Sequence, residues 1–221
     1  MIKADGIIGT VGGGALEKTV IEQARTLLSD AQRTTHMVSV HLVRDLAMCC
    51  GGKMSVFLEK VDPSPTLWIF GAGHVGTQLA HVAQIAHFKV MVVDEREEWA
   101  GADRFADGIE VIESDPIDHI KAIPPSPEDY VVIVTHAHDL DETIIRQLEP
   151  HSLRYLGMIG SRGKWARFVD RFDARGINVK AVERVFCPVG VDIGALTPAE
   201  IAISITAQLV EVRRGGAKWK T

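Results

Sequence analysis

The residues best suited to chemistry fall in short turns. The first turn is Gly71-Ala72-Gly73-His74-Val75-Gly76. It lies between a short apolar run and an amphipathic one, and Asp94 ends the next apolar run. Gly71 allows a tight turn, Gly73 lets a phosphate approach the backbone, and Gly76 lets the following helix pack closely on its strand. The helix start offers free N–H groups and a positive dipole end to an anion. Asp94 falls where a ribose hydroxyl would be held, so a dinucleotide is one ligand that fits. A Rossmann-like scaffold whose crevice is unused, or serves another anion, is the other reading.

The second turn is Thr135-His136-Ala137-His138-Asp139-Leu140-Asp141. Two histidines and two acids within six residues suit a divalent metal, and a hydrolase built on His136, His138 and Asp141 is one reading. A complete metal site needs further ligands, and His151 is the only later histidine. The expectation is therefore that His136 and His138 offer imidazole N–H groups to an anionic or heterocyclic ligand, while Asp139 or Asp141 caps the next helix. The third turn is Gly160-Ser161-Arg162-Gly163-Lys164. Cations in a helix's first turn oppose its dipole unless an anion lies between them. Phosphate or pyrophosphate held by Ser161, Arg162 and Lys164 is the natural candidate.

Two further turns, Cys50-Gly51-Gly52 and Cys187-Pro188-Val189-Gly190, carry thiols. A thiolate beside backbone N–H groups is activated, and Cys50 and Cys187 would then bind a soft metal or carry sulfur. Burial as small apolar side chains is the alternative. Cys49 and Cys50 are adjacent, and a disulfide between them would be strained.

Two parts position these turns. Residues 1–62 form a small α+β domain: a strand or hairpin arm at 6–11, a helix with Leu16, Val20, Ile21, Ala24, Leu27 and Leu28 on one face, and strands at 36–43 and 54–61. It is too small to stand alone and needs a partner surface, which the second part or a second copy in a homodimer would supply. Asp62-Pro63-Ser64-Pro65 reads as the linker. Residues 66–221 alternate strand and helix. Strands follow the first at 90–94, 110–112, 130–135 and 154–159, with helices at 75–86, 142–148 and 164–174. A last helix is opened by the capping box Thr197-Pro198-Ala199-Glu200. This is an α/β domain with a Rossmann-like parallel sheet, whose ligands gather at the strands' carboxyl ends.

The chain of 221 residues has 46% hydrophobic content and a formal charge of −5. That balance leaves no basic face for nucleic acid. No apolar run is long enough for a membrane span and no signal peptide is visible. Three cysteines without a disulfide framework point to a reducing cytoplasm.

In order, Thr10-Val11-Gly12-Gly13-Gly14-Ala15-Leu16-Glu17, Cys50-Gly51-Gly52, the turns at 71–76, 135–139 and 160–164, and residues 187–195 resemble the XdhC/CoxI family, the xanthine dehydrogenase accessory proteins. The likeness runs from Asp5 to about Arg214. It implies a chaperone that binds the molybdenum cofactor, protects it while a cysteine desulfurase supplies its sulfido ligand, and helps insert it into a xanthine dehydrogenase or related molybdenum hydroxylase. It also implies a further N-terminal segment with a Gly-Ser-x-Pro-Arg turn, so the first domain is read as truncated. Cys49 departs from the family's single cysteine before the Gly-Gly pair. An NAD(P)-dependent oxidoreductase is the competing reading, although no substrate domain or proton-relay pair accompanies the fingerprint.

Overall fold

A computed structural model of the protein describes residues 1–3, 5–12, 14–30, 32–42, 52–61, 64–175 and 184–216. The chain divides into two compact units, Met1–Pro63 and Ser64–Thr221.

In the first unit, helix α1 (Gly14–Ser29) buries Leu16, Val20, Ala24 and Leu27, a stripe at helical spacing. Strands β1 (Thr35–His41) and β2 (Lys53–Glu59) pair antiparallel, with Met37 opposite Phe57 and Val38 opposite Val56. Their alternation turns Val38, Val40, Val56 and Leu58 towards the cluster that holds Leu16 and Val20. The strand arm expected at 6–11 is a turn closed by one antiparallel bridge, between Ile2 and Ile7.

The second unit is a doubly covered parallel sheet. Its elements run β3 (Thr66–Phe70), α2 (His74–Ile85), β4 (Lys89–Asp94), β5 (Glu110–Glu113), α3 (Pro116–Ala122), β6 (Tyr130–Ile133), α4 (His138–Leu148), β7 (Tyr155–Met158), α5 (Arg162–Ala174) and α6 (Pro198–Arg213). The strand order is β5-β4-β3-β6-β7, every pair parallel. The strands are continuous apolar runs because both faces are buried. Leu67 and Ile69 of β3 pack with Leu79 and Ala83 of α2 and with Ile205 and Leu209 of α6. Trp68 and Phe70 point the other way, towards Ile144 and Leu148 of α4 and Phe168 and Phe172 of α5.

The chain leaves β3 towards one edge and returns to the far side of β3 at β6. The crevice between β3 and β6 is therefore the topological switch point, where ligands of such sheets bind. Two elements differ from the sequence pattern. Helix α4 begins at His138, four residues before the apolar spacing declares itself. Helix α3 escapes periodicity because it is only seven residues long, although its cap Asp115 accepts from the N–H groups of Ile117 and Asp118 and proline follows at once.

Candidate functional site

The glycine turn after β3 has the geometry its sequence requires. Gly71 has φ of 115°, and a Cβ there would sit 2.5 Å from the Val134 carbonyl oxygen, just beyond β6. A Cβ on Gly76 would lie 1.9 Å from the Gly71 carbonyl oxygen, a backbone clash that no rotamer relieves. Gly73 has open space where a Cβ would stand and precedes α2 with no side-chain cap, so the first N–H groups of that helix receive no acceptor from a capping side chain.

Asp94 behaves differently from the ribose-binding acid expected. It is 3% exposed, and both of its oxygens are taken. Oδ2 accepts from the Ala72 N–H at 2.7 Å and from Arg96 Nη2 at 2.8 Å. Oδ1 accepts from the Arg96 N–H at 3.0 Å and from Arg96 Nε at 2.9 Å. Burial works to raise the carboxyl's pKa. The Arg96 guanidinium and the two backbone N–H groups outweigh it and hold the group below its ordinary value.

Beside it Gly71, Asp94, Thr135 and His136 line a depression of about 170 Å³, too narrow for a water-sized sphere. His136 itself is exposed. A larger cavity of about 340 Å³ lies in the first unit, between α1, β2 and residues near the chain start, and its lining is mainly apolar.

The turns after β6 and β7 are tied together by a buried ion pair. Asp141, 1% exposed, pairs through Oδ2 with Lys164 Nζ at 2.7 Å, and its Oδ1 lies 2.6 Å from the Thr135 hydroxyl. The anion that Lys164 requires at the start of α5 is thus the protein's own carboxylate. This corrects two expectations. Lys164 is committed to Asp141 rather than left to a phosphate, and neither Asp139 nor Asp141 caps α4, whose N-cap, Ala137, has no side-chain partner. Ser161 caps α5, accepting from the Lys164 N–H at 3.2 Å. Arg162 is exposed at the same turn and makes no ion pair among the described residues. His138 is 77% exposed, with Nδ1 3.7 Å from Asp141 Oδ2.

Cys187 joins this cluster through Gly160. A Cβ at Gly160 would lie 2.8 Å from Lys164 Cδ and 3.4 Å from Cys187 Sγ, so glycine is what admits both side chains. The Cys187 thiol points at the Gly160 carbonyl oxygen, 3.7 Å away. Burial pushes its pKa up to about 11, against the opposing charge of Lys164. At neutral pH it is a thiol, which corrects the activated thiolate expected from its glycine-rich turn. Cys50 and Gly51 lie outside the described residues. Gly52, at φ of 132°, precedes β2 in the first unit.

The second unit therefore brings Gly71, Gly73, Asp94, His136, Ser161, Arg162, Lys164 and Cys187 to the carboxyl-end rim of one sheet. Among the described residues no three His, Cys, Asp or Glu side chains group as metal ligands. The acid needed by a hydrolase on His136 and His138 is buried against a lysine. Sequence reasoning missed Arg96, Trp99 and Arg104, which wrap the glycine turn. A cation two residues beyond the fingerprint acid was the available signal.

This geometry defines a Rossmann domain with these turns gathered at its switch point, and comparison with known proteins places it. Residues 67–209 match the XdhC Rossmann domain and residues 1–40 match the XdhC and CoxI family. The chain belongs to the XdhC and CoxI family. The uncharacterized protein YqeB of Escherichia coli strain K12 is 31% identical over 219 residues, covering 96% of this chain and 40% of that protein. A probable xanthine dehydrogenase subunit from Bacillus subtilis strain 168 is 30% identical over 160 residues, covering 72% of this chain and 46% of that protein. The chain thus spans less than half the length of either relative. A crystal structure of a xanthine dehydrogenase from Bacillus halodurans shares the fold, with a TM-score of 0.63 over 100% of this chain and 87% of that one, at 22% identity. No described helix is long and apolar enough to cross a membrane.

Proposed function

We propose that the protein acts in the maturation of a xanthine dehydrogenase-type molybdenum hydroxylase, by holding the molybdenum cofactor and handing it on. The observation that carries this reading is the rim itself: the carboxyl end of the sheet gathers two helix starts without side-chain caps and an exposed arginine in a chain of this family. The cofactor is a pterin dithiolene bearing a phosphate. The uncapped starts of α2 and α4, with the exposed Arg162, suit that phosphate. His136, exposed at the mouth of the crevice, is placed to hydrogen-bond the pterin edge.

The thiols fit less simply. Cys187 rests protonated, so it would serve as a soft-metal or sulfur ligand only where the bound group displaces its proton. When bound, the cofactor supplies the molybdenum–sulfur chemistry; the residues of this chain bind and orient it. In this reading a cysteine desulfurase delivers sulfur to the held cofactor, a hydroxylase receives it, and the work is done in the cytoplasm.

The test is metal and pterin analysis of protein purified from a molybdate-fed host. Co-purification of molybdenum and pterin in equal amounts, reduced in Arg162→Ala and His136→Ala proteins that keep the wild-type fold, supports the reading. Protein free of both groups, from a host that makes the cofactor, contradicts it.

A further inference from the structure

The glycine turn that advertises a dinucleotide is wrapped by the protein itself. A carboxylate offers about four lone-pair positions. Those of Asp94 meet four donors from its own chain: the N–H groups of Ala72 and Arg96, and Arg96 Nε and Nη2. The guanidinium grips the acid with two parallel bonds, the arrangement in which an arginine–carboxylate pair is strongest.

Arg96 is in turn held in place. Its guanidinium lies 5.1 Å from the centre of the Trp99 ring. That ring meets His74, the first residue of α2, edge to face at 5.1 Å. Arg104 lies 4.5 Å from the same ring and donates to the Ala72 carbonyl oxygen at 3.1 Å and to that of Trp99 at 2.6 Å. Residues 94–104 thus fold back as a strap over the turn, anchored at Asp94, Ala72 and Thr77. The adjoining crevice is too narrow to admit a water-sized sphere.

We propose that Arg96 is a built-in occupant of the adenosine-ribose subsite, and that it closes this Rossmann crevice to dinucleotides. A ribose diol brings two neutral donors to the acid. To bind there it must displace a charged, bidentate partner from a carboxylate with 3% exposure, and it leaves that charge without a counter-charge. A nucleotide with a 2′-phosphate fares no better. The arginine that would receive the phosphate is already neutralised by Asp94, and the carboxylate itself repels the newcomer. Arg96 is thus the specificity-determining residue of a crevice that keeps the rest of its fingerprint. Removing the guanidinium frees Asp94 for a diol but not for a phosphate, so the variant gains NAD and not NADP. The inference concerns the strap over the glycine turn and stands whether or not the rim carries a molybdenum cofactor.

The experiment is titration calorimetry of the full chain with NAD and with NADP, for wild type and Arg96→Ala, with circular dichroism as the control for folding. Wild type is expected to give no saturable heat up to roughly millimolar nucleotide, while Arg96→Ala binds NAD at least about tenfold more tightly and still ignores NADP. Should Arg96→Ala fail to fold, Arg96→Met keeps an unbranched apolar side chain without the fork and is read by the same criteria. Saturable binding of either nucleotide by wild type overturns the proposal. So does a folded variant that gains no NAD, or one that gains NADP equally.

Discussion

Gly76 and Lys164 are constrained in opposite ways, one by space and one by charge. At Gly76 a methyl group would meet the Gly71 carbonyl, so the turn and helix α2 must part to accept it. We expect Gly76→Ala to cost about 3 kcal/mol or more, read as a lower urea midpoint. At Lys164 the side chain answers a buried carboxylate. Lys164→Met should destabilise by about 3–5 kcal/mol, because Asp141 is then left charged and unpaired. Adding Asp141→Asn should recover part of that loss, and a double-mutant cycle gives the coupling. Cys187 makes a chemical prediction. In a background with Cys49 and Cys50 replaced by serine, alkylation by iodoacetamide should be slow at pH 7, rise about tenfold per pH unit and level off only above about pH 11. Fast labelling at pH 7 would mean that the thiol is activated after all.

The helices and strands were legible where their pattern is local. The apolar run of β3, the glycine turn, the amphipathic α2 and the run ending at Asp94 are contiguous, and each signals its neighbour. The box at Thr197 is equally local, and it forms as read: Thr197 accepts from the Glu200 N–H while the Glu200 carboxylate accepts from that of Thr197. Thr197→Ala should cost about 1 kcal/mol, measured by thermal or urea unfolding. Helix α4 was less legible because Asp141, which looks like a capping acid, is drawn inward by Lys164 from a helix 23 residues away. Asp94 departs from its expected role for the same reason. Its position was plain, but its partner Arg96 is set by how the strap folds back, which no periodicity encodes.

These elements also give the second unit a pH dependence. His119 of α3 is 7% exposed, its Nε2 has no hydrogen-bond partner among the described residues, and its ring lies 5.3 Å from that of Trp68. Burial lowers its pKa, with Glu110 opposing, so the folded state prefers the neutral ring. That preference contributes fully above about pH 6.5 and is lost as pH falls through the lowered folded value. Asp94, also lowered, contributes fully above about pH 4 and loses its share as pH falls through its own folded value. Urea midpoints should therefore decline below about pH 6.5 and more steeply below about pH 4, and His119→Gln should remove the first decline.

For the whole molecule, the family and the parallel sheet were readable because the turns recur in a fixed order along the chain. The rim they form is a three-dimensional fact that order only suggests. Turns from β3, β4, β6 and β7 reach it, together with the segment that carries Cys187. The two units meet the proposed task unequally in what is described, since Cys50 and Gly51 lie outside it and the chemistry on view belongs to the second unit. The reading that this rim receives the cofactor is tested most directly by amide hydrogen exchange, with and without bound molybdenum cofactor. The account predicts added protection concentrated at residues 71–76, 136–140 and 160–164. Cofactor that binds and leaves those amides unchanged, with protection confined to residues 1–61, would contradict it.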